Sequence, residues 1–92
     1  MIEYLFNAIR VSSGGVETIT AKVNDKDGNP LTEGVKLVIY DDEELLMEVN
    51  GAYDDGIWYF TFAAKGIEGR YWYGFVCDDI DLSFKQPIYF VR

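Results

Sequence analysis

Residues Asp25–Tyr40 read DKDGNPLTEGVKLVIY. The first half of this stretch gathers Asp, Asn, Gly and Pro. Asp and Asn bond their own backbone, Gly accepts positive φ, and Pro presets φ for a turn. The second half alternates, with Val35, Leu37 and Ile39 on one side and Lys36, Val38 and Tyr40 on the other. A period of two gives a strand one face toward a core and one toward solvent. A turn feeding such a strand belongs at the junction of two strands in a small β-sandwich.

The same short period recurs along the chain, and no segment sustains a helical period. Ile2–Ile9 alternates with Ile2, Tyr4, Phe6 and Ala8 in phase, before Ser12–Gly15 breaks it. Val16–Val23 sets Ile19, Ala21 and Val23 against Thr18, Thr20 and Lys22, the pattern of a half-buried strand. Asp41–Glu44 reads as an acidic hairpin connection. Leu45–Val49 has Leu45, Met47 and Val49 in phase as a strand, although DDEELLMEV also suits one helical turn. Asn50-Gly51 and Asp54-Asp55-Gly56 punctuate a loop. Ile57–Phe62 places Trp58, Phe60 and Phe62 on one face, with Ile57, Tyr59 and Thr61 on the other. Arg70–Cys77 places Tyr71, Tyr73, Phe75 and Cys77 on one face, with Trp72, Gly74 and Val76 opposite. Asp78–Asp81 is an acidic turn. Leu82–Val91 is the last strand, and Pro87 within it suggests a bulge or an edge position. These short strands, separated by turn signals roughly every 8–12 residues, predict an all-β immunoglobulin-like sandwich of about seven strands, with an open barrel as the alternative.

A chain of 92 residues makes one domain, 1–92, with a thin core. Its 7 Tyr, 6 Phe and 2 Trp supply the large buried areas that so small a core needs. The formal net charge of −8 repels a polyanion, so nucleic acid is not an expected partner, whereas a basic protein surface would suit it. Cys77 is the single cysteine, so no internal disulfide forms, and its apolar surroundings suit a small packed side chain. With 0 His, the commonest general base and metal ligand is missing. Met1–Arg10 lacks the basic start and long apolar centre of a secretory signal, and no run reaches the roughly 20 apolar residues of a membrane span. Synthesis in a cytoplasm, with no membrane partner, is the expectation.

Four arrangements of side chains bear on chemistry. Asp25, Asp27 and Asn29 alternate like the start of a calcium loop, but glycine comes too early and Lys36 stands where a bidentate Glu is needed. Turn chemistry is the better reading. The acids Asp41, Asp42, Glu43 and Glu44, or Asp78, Asp79 and Asp81, lack a cleft and a partner acid for glycosidase work. Outward Tyr59 and Trp72 offer flat rings on which a surface glycan can stack. The preferred site is a protein interface. If Val35–Tyr40 lies beside Arg70–Cys77, then Val38, Tyr40, Trp72 and Val76 form one apolar strip facing outward. A register slip of one residue would exchange the faces. No phosphate-binding glycine loop, nucleophile constellation or zinc spacing is present. An enzyme is not expected, nor a cofactor or metal.

Two resemblances rest on these residues. DKDGNPLTEGVKLVIY resembles the turn and strand of bacterial Ig-like repeats, such as those of invasin- and intimin-type proteins. Over nearly the whole chain, TITAKVND with DGNPLT and GVKLVIYD, then DDGIWYFTF, then GRYWYGF, resembles Ig-like modules of tailed-bacteriophage virion proteins. The N-terminal domain of baseplate upper proteins is one such family. There, Trp58, Phe60 and Phe62 take the place of one recurring aromatic strand, and Tyr71, Tyr73 and Phe75 of another. That family continues into a long C-terminal region, whereas this chain stops at Arg92, which suggests a free-standing module. The resemblance implies a structural virion protein: a capsid decoration, head-fibre or tail accessory protein, bound in many copies to capsid or tail subunits. It would be made in the bacterial host cytoplasm. A carbohydrate- or host-surface-binding module is the alternative.

Overall fold

A computed structural model describes residues 2–4, 9–12, 15–25, 27–78, 80–81 and 85–91. The strands are β1 (Ile2–Tyr4), β2 (Ile9–Ser12), β3 (Val16–Val23), β4 (Val35–Asp41), β5 (Glu44–Asn50), β6 (Ala52–Asp54), β7 (Ile57–Ala63), β8 (Gly69–Cys77), β9 (Ile80–Asp81) and β10 (Gln86–Val91). They form two sheets. One has the order β1-β3-β7-β6, and the other β2-β10-β8-β4-β5, with β9 also paired to β8. The chain changes sheet after β1, β2, β3, β5 and β7. These crossings make the sandwich.

The strands β3, β4, β7, β8 and β10 turn an apolar phase inward. Ile19, Ala21, Val23, Trp58, Phe60 and Phe62 come from the first sheet. Val35, Leu37, Ile39, Val49, Tyr73, Phe75, Ile88 and Phe90 meet them from the second. Aromatic contacts run through this layer. Phe60 meets Phe75 at 5.2 Å between ring centroids, and Tyr71 meets Phe90 edge-on at 5.4 Å. Tilted and edge-on pairs suit the ring quadrupoles. The turns use the residues their backbone demands. Between β6 and β7, Asp55 at φ 49 and Gly56 at φ 85 close a two-residue hairpin, in which both central residues need positive φ.

The predicted sandwich is present, with three revisions. The stretch read as one strand, Ile2–Ile9, contributes to both sheets: β1 pairs antiparallel with β3, and β2 pairs parallel with β10. Phe6 and Ala8 of that reading lie outside the described residues. Ala52–Asp54, read as loop, is β6, because its backbone completes the ladder on β7. Ile80–Asp81, read as turn, pairs with β8. Pro87 pairs with Trp72 on β8, and among the described residues the β2 ladder starts at Ile88, so the residue lacking an N–H has a described partner strand on one side alone, as an edge position requires. Leu82–Phe84 lie outside the described residues.

Candidate functional site

Register, more than composition, builds the outer face of the second sheet. Tyr40 on β4 pairs with Leu45 on β5 and with Trp72 on β8. Trp72 in turn pairs with Pro87 on β10. Directly paired residues share a sheet face. Leu45, Tyr40, Trp72 and Pro87 therefore form one apolar row across four strands, on the side away from the core. Leu45 is 50 % exposed, and the other three are half-buried.

Leu45 reaches this row through a β-bulge. The β4–β5 register shifts between Ile39, which pairs with Met47, and Tyr40, which pairs with Leu45. One extra residue on β5, Leu46, is accommodated there, and the phase reverses. Met47 and Val49 pack on or in the core, whereas Leu45 is turned to the other face. The in-phase set Leu45, Met47 and Val49 expected from the sequence is thus divided. Period-two reading carries no signal for an inserted residue. Pro87 could have been placed outward from the inward phase of Ile88 and Phe90.

The other predicted interface residues fall as follows. Val38 is on this face, opposite Glu48 and Gly74, but it is only 3 % exposed. It is also absent from the inter-sheet core. Gly74 presents no side chain, so Val38 sits in a gap that Tyr40, Lys36, Trp72 and Val76 surround by register. Val38 supports the face from beneath and is not itself a contact surface, which corrects its placement as an exposed residue. Val76 is half-buried and borders a depression of about 220 Å³ with Gly34, Lys36 and Asp78. Tyr59 is 39 % exposed but belongs to the outer face of the opposite sheet, paired with Thr20 and Ala52. Tyr59 and Trp72 lie on opposite sides of the sandwich, so they cannot grip one glycan together.

Two cations lie on the aromatic row. Lys85 Nζ stands 3.9 Å from the Tyr40 ring centroid, and Arg70 Cζ stands 5.4 Å from that of Trp72. Both are within the range of a cation–π attraction. Beyond Tyr40 comes the acidic tip, where Asp41 pairs with Glu44 across the turn and Asp42 adopts φ 54. Asp41, Asp42, Glu43, Glu44 and Trp72 line an open depression of about 720 Å³. The four acids are exposed, as the sequence suggested for a hairpin tip.

Asp25 is fully engaged in turn chemistry. Its Oδ1 accepts the backbone N–H groups of Asp27 and Asn29, each at 2.9 Å. Hydrogen bonds from those N–H groups, Asn29 first, hold the Asp25 carboxyl below the ordinary aspartate range. Trp58 Nε1 donates to Leu31 O at 2.7 Å, which ties this loop to the core. Cys77 is half-buried, with its thiol directed at Glu33 O at 3.7 Å. Burial, then the charge of Asp78, pushes that thiol's pKa up.

No family model matches the chain, and no curated protein matches it. Among solved structures, the crystal structure of the Lin-41 filamin domain superposes with a TM-score of 0.70. That match covers 100 % of this chain and 91 % of the other at 18 % identity. At that identity the likeness shows the fold alone: an immunoglobulin-like β-sandwich.

Proposed function

We propose that this domain is a non-catalytic protein-binding module that docks through the outer face of the β2-β10-β8-β4-β5 sheet. The observation that carries this reading is the row Leu45–Tyr40–Trp72–Pro87, continuous over four strands and directed away from the core. A large apolar patch on a free surface marks an interaction site. Aromatic residues supply most of the energy in such contacts. The row's residues sit on paired strands and not on loops, which lowers the ordering cost on binding. The edge of β5 lies beside the row and offers a further place for a partner strand.

The setting we propose is the virion of a tailed bacteriophage, with capsid or tail subunits as partners and many copies per particle. The likeness of DGNPLT, DDGIWYFTF and GRYWYGF to virion Ig-like modules supports that setting. Trp72→Ala tests the reading. Trp72 is outside the inter-sheet core, so the variant should fold with circular dichroism and urea midpoint close to the parent. Particles assembled with it should lack the protein on a density gradient. A folded variant that joins particles at the parental copy number would remove the docking face.

A further inference from the structure

The chemistry around the apolar row specifies its occupant. Asp41 and Glu44 are directly paired across the strands, and like charges so placed repel. Asp42 and Glu43 join them in the two-residue turn between. Four carboxylates therefore border the depression that Trp72 floors. The rings of the row already hold cations, Arg70 over Trp72 and Lys85 over Tyr40, and both of these side chains belong to exposed residues. These two cations against four carboxylates leave an excess of negative charge at this end of the row.

Resting on the docking face described above, we propose that its partner is a protein carrying a basic, arginine-containing segment. That segment lies along the row Leu45–Tyr40–Trp72–Pro87. One of its guanidinium groups replaces Arg70 on Trp72 and meets the carboxylates of Asp41–Glu44. Arginine fits better than lysine because its planar, weakly hydrated group stacks on a ring while its N–H fork engages carboxylates. A second copy of this chain is a poor occupant. It carries the same net charge of −8 and would bring another acidic tip to the first. The complementary charge also steers encounter, so association should be fast at low salt and slow at high salt.

The test is a titration of the full chain, labelled with ¹⁵N, with hexa-arginine, hexalysine and hexaglutamate as probes. The two indole N–H signals are assigned with Trp72→Phe. Hexa-arginine should shift the Trp72 indole and the amides of residues 41–44 saturably, leave the Trp58 indole in place, and bind more tightly than hexalysine. Hexaglutamate should do nothing. The combined variant Asp41→Asn, Asp42→Asn, Glu43→Gln, Glu44→Gln should weaken hexa-arginine by tenfold or more, on the order of 1.4 kcal/mol. Arg70→Gln should tighten it about two- to fivefold, the range of one exposed cation–π contact. Lys22→Gln, on the opposite sheet, should change it less. Shifts spread equally over Asp54 and Asp55 with no Trp72 response would overturn the proposal. So would unchanged binding by the neutralised tip, or equal affinity for hexalysine. The particle assay separates this inference from the docking reading. If the neutralised tip joins particles normally while Trp72→Ala does not, the face stands and the basic occupant falls. If Trp72→Ala also joins normally, the face itself falls.

Discussion

Replacing Gly51 by alanine should destabilise the domain by far more than a methyl group suggests. Gly51 has no positive φ that would require glycine, and its role is space. A Cβ there would lie 2.5 Å from Trp58 Cε3, 2.6 Å from Phe60 Cε1 and 2.8 Å from Trp58 Cζ3. Carbon atoms in contact prefer about 3.5–4.0 Å, so each overlap approaches an ångström. The rings cannot withdraw easily. Trp58 is 3 % exposed, is held by its Nε1–H bond to Leu31 O, and stacks on Phe60 at 6.0 Å between centroids. Phe60 is 0 % exposed and backed by Phe75. Relief must come from the backbone, which would strain the Gly51 N–H to Val35 O bond at 3.2 Å. Overpacking costs about 1–3 kcal/mol and a lost hydrogen bond about 0.5–1.5. The smaller unfolded-state entropy of alanine returns about 0.4–1 kcal/mol. Taken at mid-range, these terms give a net loss of about 2 kcal/mol, a large share of the roughly 5–14 kcal/mol usual for a domain of this length. Urea unfolding followed by tryptophan fluorescence and circular dichroism measures it, and the melting temperature should fall by about 8–16 °C. Gly15→Ala is the control, because nothing lies within 4 Å of its Cβ position. A Gly51→Ala midpoint within about 0.5 kcal/mol of the parent, no different from Gly15→Ala, would refute the close-packing argument.

The Asp25 carboxyl should titrate below the usual aspartate value in a ¹³C NMR titration, because Asn29 and Asp27 N–H groups stabilise its charged form. Its folded pKa is depressed, so its contribution to stability is present above the unfolded value of about 3.9 and is lost as pH falls through the folded value. Asp25→Ala should accordingly flatten the acid limb of a plot of urea midpoint against pH, and an unchanged limb would contradict this. Cys77 should react with a disulfide reagent at pH 8 more slowly than free cysteine, since burial and Asp78 both disfavour its thiolate. Asp78→Asn should speed that reaction modestly, and a Cys77 rate equal to that of free cysteine would contradict the raised pKa.

The sequence by itself determined which side of most strands faces the core. Trp58, Phe60 and Phe62, and likewise Tyr73 and Phe75, are buried as their alternation requires. Alternation is a local property of extended backbone, so it survives without knowledge of neighbours. The same reasoning identified the turn at Asp25–Asn29 and placed Tyr40 and Trp72 on one outward face. Only the tertiary structure decided which strands touch and in what register. It divided the first stretch between two sheets and separated Tyr59 from Trp72 by the thickness of the sandwich. It sank Val38 beneath its neighbours, brought Arg70 and Lys85 over the aromatic rings, and used one extra residue in β5 to turn Leu45 outward. These outcomes depend on contacts between residues far apart in the chain, where a single inserted residue reverses every later side chain.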